Sequence, residues 1–218
     1  MESSNSGKVM VFDAFASVVK AMSSGRRLEL IELLAQGEHS VDALARMTGI
    51  TVTTVSSNLQ TLKHAGLVAT RRAGTTIYYR LTDDDVAELY VAAKKVALRH
   101  SPGLREAVNT YMAAADPRGV AAGVPVMTEG MTVVDVRPRI EFEAGHVPGA
   151  ISIPLDELPD RYRAIPADTG VLIYCRGEFC RLAREAAAWL SERGIEATAM
   201  DEGIMEWRVS GEVALDVV

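Results

Sequence analysis

The sequence is poor in cysteine. Two residues in 218, Cys175 and Cys180, are too few and too close together to form a disulfide framework. There is no run of about 18 apolar residues of the kind a membrane-crossing helix needs. The opening Met1-Glu2-Ser3-Ser4-Asn5-Ser6-Gly7 lacks the basic-then-apolar plan of a secretory signal. These absences lead us to expect a cytoplasmic protein with no membrane partner. Histidine is scarce too. The four, at positions 39, 64, 100 and 146, share no ligand spacing such as H-x3-H, so neither a metal nor a cofactor is expected. What the chain does have is apolar residues, 48% of the total, ample for one or two cores at this length.

Charge is unevenly spread. The net −6 argues superficially against nucleic acid. Residues 1–115 carry 13 Lys and Arg against 11 Asp and Glu, whereas residues 116–218 carry 10 against 18. Within residues 20–82, eight basic side chains face four acidic ones. The local field there is positive, and a phosphate backbone would meet the local field.

Taken in order, residues 8–22 read as a helix with Phe12, Phe15, Val19 and Met22 on one stripe. Gly25 interrupts it. Arg26 to Ala35 form a second helix, ended by Gly37. Ser40 can cap a third, with Val41, Leu44 and Met47 inward. Thr48-Gly49-Ile50 is a turn, and Thr51 can cap a fourth helix over 52–64, closed by Gly66. Two short helices joined by a tight glycine turn make the helix-turn-helix pattern.

The fourth helix has Val52, Val55, Leu59 and Leu62 facing in. Thr53, Thr54, Ser56, Ser57, Asn58 and Gln60 face out, with Lys63 and His64 near its end. Ser, Thr and Asn are weak helix formers on an ordinary solvated face. They suit a face that enters a major groove, where small hydrogen-bonding groups read base edges and hold phosphates. A hairpin follows, Leu67 to Arg72 and Thr76 to Leu81 around Ala73-Gly74-Thr75. Arg71 and Arg72 precede its tip, placed to reach phosphates.

Helices 26–64 with this wing, down to the run Leu59-Gln60-Thr61-Leu62-Lys63-His64-Ala65-Gly66-Leu67-Val68, resemble the ArsR family of winged-helix repressors. The likeness covers about residues 8–100. It implies a homodimer, with the first and post-wing helices at the interface, on an inverted-repeat operator of double-stranded DNA. The post-wing helix, capped by Thr82-Asp83-Asp84-Asp85, carries Val86, Leu89, Ala93, Val96 and Ala97 in one stripe, read as dimer core. Ser101-Pro102 opens a further helix to about Ala115. Many members of the family sense metals through cysteines in the third helix. Here Glu38-His39-Ser40-Val41-Asp42 has no thiol at that place.

Asp116-Pro117-Arg118-Gly119 breaks the helix, and residues 116–127 read as a linker. Beyond it, strand-like pieces at 132–136, 150–153, 171–175 and 196–200 alternate with helical ones near 141–144, 156–164 and 181–193. That spacing predicts a parallel sheet covered on both faces. The fold class expected is thus two domains: a mainly-α winged helix-turn-helix over 1–115, then an α/β domain over 128–218.

Both cysteines lie in one loop, Cys175-Arg176-Gly177-Glu178-Phe179-Cys180-Arg181, between an apolar strand and a helix. Unpaired amides and the positive end of the helix dipole favour an anion there. Arg176 and Arg181 add charge of the same sign, which favours thiolate.

The C-terminal half resembles a rhodanese domain. The resemblance is carried by Val133-Val134-Asp135-Val136-Arg137, by Glu141-Phe142-Glu143-Ala144-Gly145-His146-Val147-Pro148-Gly149-Ala150, and by Met200-Asp201-Glu202-Gly203-Ile204-Met205-Glu206-Trp207. It implies that Cys175 accepts sulfane sulfur as a persulfide, from a donor such as thiosulfate or another persulfide, and passes it to a thiol. Cys180 is read as a resolving thiol. The Cys-x5-Arg spacing is longer than in most single-domain rhodaneses and is shared with rhodanese-fold phosphatases and arsenate reductases. Glu178 in the loop would repel a dianion, and sulfur chemistry ranks above those two.

Three readings stand at this point. The first is a repressor with a sulfur-sensing domain at Cys175, Gly177 and Cys180. The second is a working sulfurtransferase with an autoregulatory DNA-binding half. The third is a degenerate domain that only mediates association.

Overall fold

The computed structural model describes residues 2–116, 118, 120, 121, 130–167 and 169–218. Positions 122–127 of the expected linker, with 117 and 119, lie outside the described residues. The chain divides into two compact units, Met1–Tyr90 and Val91–Val218.

The first unit holds α1 (Glu2–Met22), α2 (Gly25–Leu34), β1 (His39–Ser40), α3 (Val41–Thr48), α4 (Val52–His64), β2 (Val68–Ala73) and β3 (Thr76–Leu81). Helix boundaries follow local chemistry. The Ser40 hydroxyl accepts from the Ala43 amide, and the Thr51 hydroxyl from the Thr54 amide, so α3 and α4 both begin on side-chain caps. Gly49 ends α3 at φ 67°, a left-handed turn favoured by glycine. Leu30, Ile31, Leu44, Val55, Leu59 and Leu62 are fully buried and form the centre of the unit.

Val52 departs from the expected inward face: it is 47% exposed. It stands in the first turn of α4, ahead of the Val55–Leu59–Leu62 stripe that meets the core. The antiparallel sheet has order β1-β3-β2, and β1 was not foreseen. Two residues are too short a run to show a period, and β1 is defined by its pairing, His39 with Tyr79 and Ser40 with Tyr78.

A further helix, α5 (Asp85–His100), begins in the first unit and continues into the second. The second unit continues with α6 (Pro102–Ala113), β4 (Met131–Asp135), α7 (Arg139–Ala144), β5 (Ile151–Ser152), α8 (Leu158–Arg161), a single 3-10 turn at Tyr162–Ala164, β6 (Gly170–Tyr174), α9 (Leu182–Ser191), β7 (Ala197–Ala199) and α10 (Ile204–Ser210). Its four strands are all parallel, in order β5-β4-β6-β7. Alternation along the central strands supplies two cores. Val134 and Ile173 pack on one face with Ala186 and Leu190 of α9. Val133 and Tyr174 pack on the other with Ile204 and Trp207 of α10. Helix α10 was not anticipated; its segment was read only as a motif.

The Asp135–Arg137 part of the second unit's signature is structural. Both side chains are fully buried. Arg137 donates through Nε and Nη2 to the Asp135 carboxylate, and through Nη2 to the Gly145 carbonyl at 2.7 Å. The His146 ring stacks on Phe142 at 3.7 Å between centroids. Removing one partner of a buried pair leaves an uncompensated charge, which costs about 3–5 kcal/mol. Asp135→Ala is therefore expected to lower unfolding stability by about that amount in a urea titration. A loss below about 1 kcal/mol would mean that water or another group replaces the carboxylate.

Candidate functional site

The loop between β6 and α9 begins where the central strand β6 ends, at the carboxyl edge of the parallel sheet. Ligands bind at such edges in open α/β sheets. Two glycines make room for its path. A Cβ on Gly177 would stand 2.6 Å from Glu206 Oε2, and one on Gly203 would collide with the Cys175 carbonyl and the Gly177 amide. The loop is thus pressed against the start of α10, and only hydrogen fits at either contact.

Cys175 is 2% exposed, while Cys180 is partly exposed. The Cys175 thiol reaches back across the loop, with Sγ 3.3 Å from the Cys180 carbonyl oxygen, and it hydrogen-bonds the Cys180 sulfur. Backbone amides of Gly177 and Ala183 serve Cys175, and those of Arg176 and Leu182 serve Cys180. This is the amide cradle expected at a helix N-terminus.

The two thiols divide unequally. The hydrogen bond from Cys175 is the largest cause holding Cys180 down at about 7; burial opposes it, and the Arg176 charge helps. Burial first, then the neighbouring sulfur, pushes Cys175 well above the ordinary cysteine value. Of the two, Cys180 is the more acidic thiol.

The loop arginines are engaged. Arg176 forms a two-pronged bridge to Glu141, with Nη2–Oε1 at 2.7 Å and Nε–Oε2 at 2.9 Å. Its charge still reaches Cys180, but its hydrogen bonds lock the loop to α7. Arg181 pairs with Glu185 at 2.8 Å and lies 4.8 Å from the Tyr111 ring centroid.

Several residues at this site escaped sequence reasoning. Lys94 of α5 has a side chain only 1% exposed. It pairs with Glu178 of the loop at 2.9 Å, forms a short ion pair with Glu206 of α10, and stands 5.2 Å from the Phe179 ring centroid. Burial would lower its pKa, yet Glu206 and Glu178 together outweigh that and hold it raised. Glu206 also accepts from the Gly203 amide at 3.0 Å. A lysine in a helix reads from sequence as solvated, and its partners are remote in the chain, so no local signal marked it.

In the first unit, Thr53, Thr54, Ser57, Gln60 and Lys63 are exposed, with Ser56 and Asn58 half-buried. Some are already committed. Gln60 donates to the Tyr79 hydroxyl (3.0 Å), Lys63 to the Thr70 hydroxyl (3.1 Å) and Asn58 to the Thr54 carbonyl (2.9 Å). Arg71 pairs with Glu38 at 2.6 Å and stacks on Tyr78; Arg72 donates to the Gly74 carbonyl. Among the described residues, no three His, Cys, Asp or Glu side chains converge as a metal site, and no helix is long and apolar enough to cross a membrane.

A winged helix-turn-helix unit joined to a parallel sheet with a cysteine loop defines a regulator with an appended rhodanese-like domain. Comparisons with known proteins agree. Residues 24–70 match the family described as bacterial regulatory protein, arsR family, and residues 124–210 match the rhodanese-like domain. The HTH-type transcriptional regulator Rv0324 of Mycobacterium tuberculosis is 41% identical over 206 residues, covering 94% of this chain and 91% of that protein. The chain belongs to the ArsR family of helix-turn-helix transcriptional regulators, in a form that carries a C-terminal rhodanese-like domain. A homodimeric winged helix-turn-helix DNA-binding domain from Mycobacterium bovis, Mb0332, is 48% identical, with a TM-score of 0.42, covering 44% of this chain and 89% of that one. A rhodanese-related protein from Thermoplasma volcanium is 26% identical, with a TM-score of 0.37, covering 41% of this chain and 87% of that one.

Alkylation tests this difference in acidity. In wild type, one thiol should gain iodoacetamide reactivity as pH rises through about 7, because only thiolate reacts. In Cys175→Ala that midpoint should move upward towards the ordinary value, about 8.5. An unmoved midpoint would assign the effect to Arg176 and the amides instead.

Proposed function

We propose that the protein is a homodimeric DNA-binding repressor whose rhodanese-like domain carries or senses reactive sulfur at the Cys175–Cys180 pair. Residues 1–115 bind DNA and dimerise, and residues 128–218 hold the sulfur loop. The observation that carries this reading is the pair of thiols, Cys175 buried and Cys180 partly exposed, at the carboxyl edge of the parallel sheet, on a loop bound through Glu178 to Lys94 of α5. Dimerisation is supported by the exposed apolar side chains of α1, among them Met10 (70%), Val11 (67%), Phe12 (59%) and Phe15 (65%). Apolar exposure on this scale marks an association surface. The stripe residues Leu89 and Val96 of α5 are exposed in the single chain as well.

The polar face of α4 would read an inverted repeat, with half-sites about one helical turn apart. Sulfur on the loop would act by coupling. A coupling of about 1–3 kcal/mol changes DNA affinity about 5–150-fold. The alternative, a sulfurtransferase that turns over steadily with no influence on DNA affinity, draws on the same cradle.

Fluorescence anisotropy on DNA from upstream of the protein's own gene separates them. Persulfide treatment should shift affinity by about fivefold or more in wild type and leave Cys175→Ser unshifted. Equal binding in every state, with steady thiosulfate turnover, would replace the sensor by the enzyme.

The same assay addresses the wing. Arg72→Ala should weaken binding on all sequences and flatten the salt dependence by about one unit of log–log slope. Arg71→Ala should do less, since Glu38 already holds that guanidinium. An unchanged slope for Arg72→Ala would remove the wing from the interface.

A further inference from the structure

We propose that α6, with the last two turns of α5, is a size filter over the cysteine loop. Sulfur then reaches the loop only on low-molecular-weight carriers, such as hydrogen disulfide or cysteine persulfide, and not from a docked carrier protein. This deepens the sulfur-handling reading above and rests on it. All the parts belong to the second unit, Val91–Val218. Only Ser101 separates α5 from α6, and its hydroxyl caps α6 by accepting from the Leu104 amide. One capped residue leaves little slack between the two helices. Lys94 and Leu98 are four residues apart on α5, as are Val108 and Met112 on α6, so each pair shares a helix face. Lys94 meets the loop, and the other three stand in the wall of a cavity of about 150 Å³ that Gly177, Phe179 and Cys180 also line.

Four contacts tie this cover down on both sides of Cys180. Before it, Glu178 pairs with Lys94 at 2.9 Å, and the Phe179 ring centroid lies 5.2 Å from the Lys94 nitrogen. After it, Arg181 lies 4.8 Å from the Tyr111 ring centroid, and Arg184 donates to the Asp116 carbonyl just beyond α6 at 3.4 Å. Cys180 keeps part of its surface exposed, so the cover is not sealed. Cys175 is 2% exposed and packs in the core with Val136, Ile153 and Ala183. A carrier bound for Cys175 therefore approaches through the loop.

Size decides which carriers pass. Pockets for drug-sized ligands span about 300–1,000 Å³, and a cavity of about 150 Å³ suits a smaller molecule. A docked protein needs about 800 Å² of each partner's surface, and the outer face of the loop is already taken by α5 and α6. The transfer needs no further oxidant. The Cys175 thiolate attacks the outer sulfur of R–S–SH. A new S–S bond forms on Cys175, the donor's S–S bond breaks, and RS⁻ leaves with its electron pair. Cys175 then carries –S–SH. The reaction that supplies this protein must therefore release a small, free persulfide.

The test uses full-length reduced protein at pH 7, labelled with iodoacetamide or with a maleimide bearing a long polyethylene glycol chain. Each rate at Cys180, mapped by mass spectrometry, is divided by the rate in urea-unfolded protein. Both reagents need the same thiolate, so comparing the two ratios reports access and not acidity. The maleimide must wait for the cover to open, and its ratio should be at least about tenfold lower. Tyr111→Ala takes the ring away from Arg181, and Met112→Ala widens the wall; each should recover most of that factor. Wild type should likewise take sulfur from cysteine persulfide about tenfold faster than from glutathione persulfide, and Tyr111→Ala should narrow that gap.

Equal ratios for the two reagents in wild type would overturn the cover. A gap that survives in both variants would assign the shielding to the loop itself and overturn the role of α6. Equal sulfur uptake from the two persulfides would overturn the filter while sulfur chemistry stands. A reagent gap with uptake from neither persulfide would leave the cover standing and overturn the sulfur reading, and the carrier class with it. Should Met112→Ala misfold by circular dichroism, Tyr111→Ala decides alone, since its ring is 49% exposed.

Discussion

The second unit depends on one buried ammonium. Lys94 enters an environment where only 1% of its side chain meets water. A lone charge there would cost several kcal/mol, and the group would deprotonate instead. It stays charged because Glu178 and Glu206 flank it. Those two carboxylates come from different places, one between the cysteines and one in the first turn of α10. The same Glu206 accepts from the Gly203 amide and leaves no room for a Cβ on Gly177. So the loop path, the start of α10 and the position of Lys94 on α5 are set by one ion cluster. Removing Lys94 would leave the two carboxylates without their shared counter-ion.

Much of this was legible in the sequence, and what was not has a physical reason. The caps Ser40, Thr51 and Ser101 act within three residues, and all three were readable from the chain. The parallel sheet followed from alternating apolar runs, although the 150–153 strand shortens to Ile151–Ser152 and the 181–193 helix to Leu182–Ser191. The cysteine loop was readable because its chemistry is compact in sequence. The Lys94 cluster was not, since its members are far apart and each reads as an ordinary surface charge. Arg176 was legible only in part: sequence showed a cation beside a thiol, but not the buried Glu141 that claims its hydrogen bonds.

That last point changes how the loop stabilises an anion. A free arginine would swing to whichever sulfur was charged. Arg176, gripped in two places by a fully buried carboxylate, contributes a fixed field instead. The amides are equally fixed. The cradle is thus preorganised around the two thiols. A site of this kind need not rearrange to form its nucleophile.

Charge placement in the chain suits this arrangement. The acidic half, residues 116–218, would repel DNA, and the basic surplus lies within residues 20–82. Glu178 is one of those acids, yet it neutralises Lys94. On the function proposed above, a sulfur group on the loop would first meet the packing around Glu178. On that reading, a message to the DNA-binding part would have to pass along backbone or packed side chains. Long-range electrostatics cannot carry it, since a Debye length of about 8 Å at physiological salt screens solvent-exposed charges. The α5 helix is the element that could carry it: its Lys94 is held by the loop, and its first turn follows the wing strand β3 after three residues.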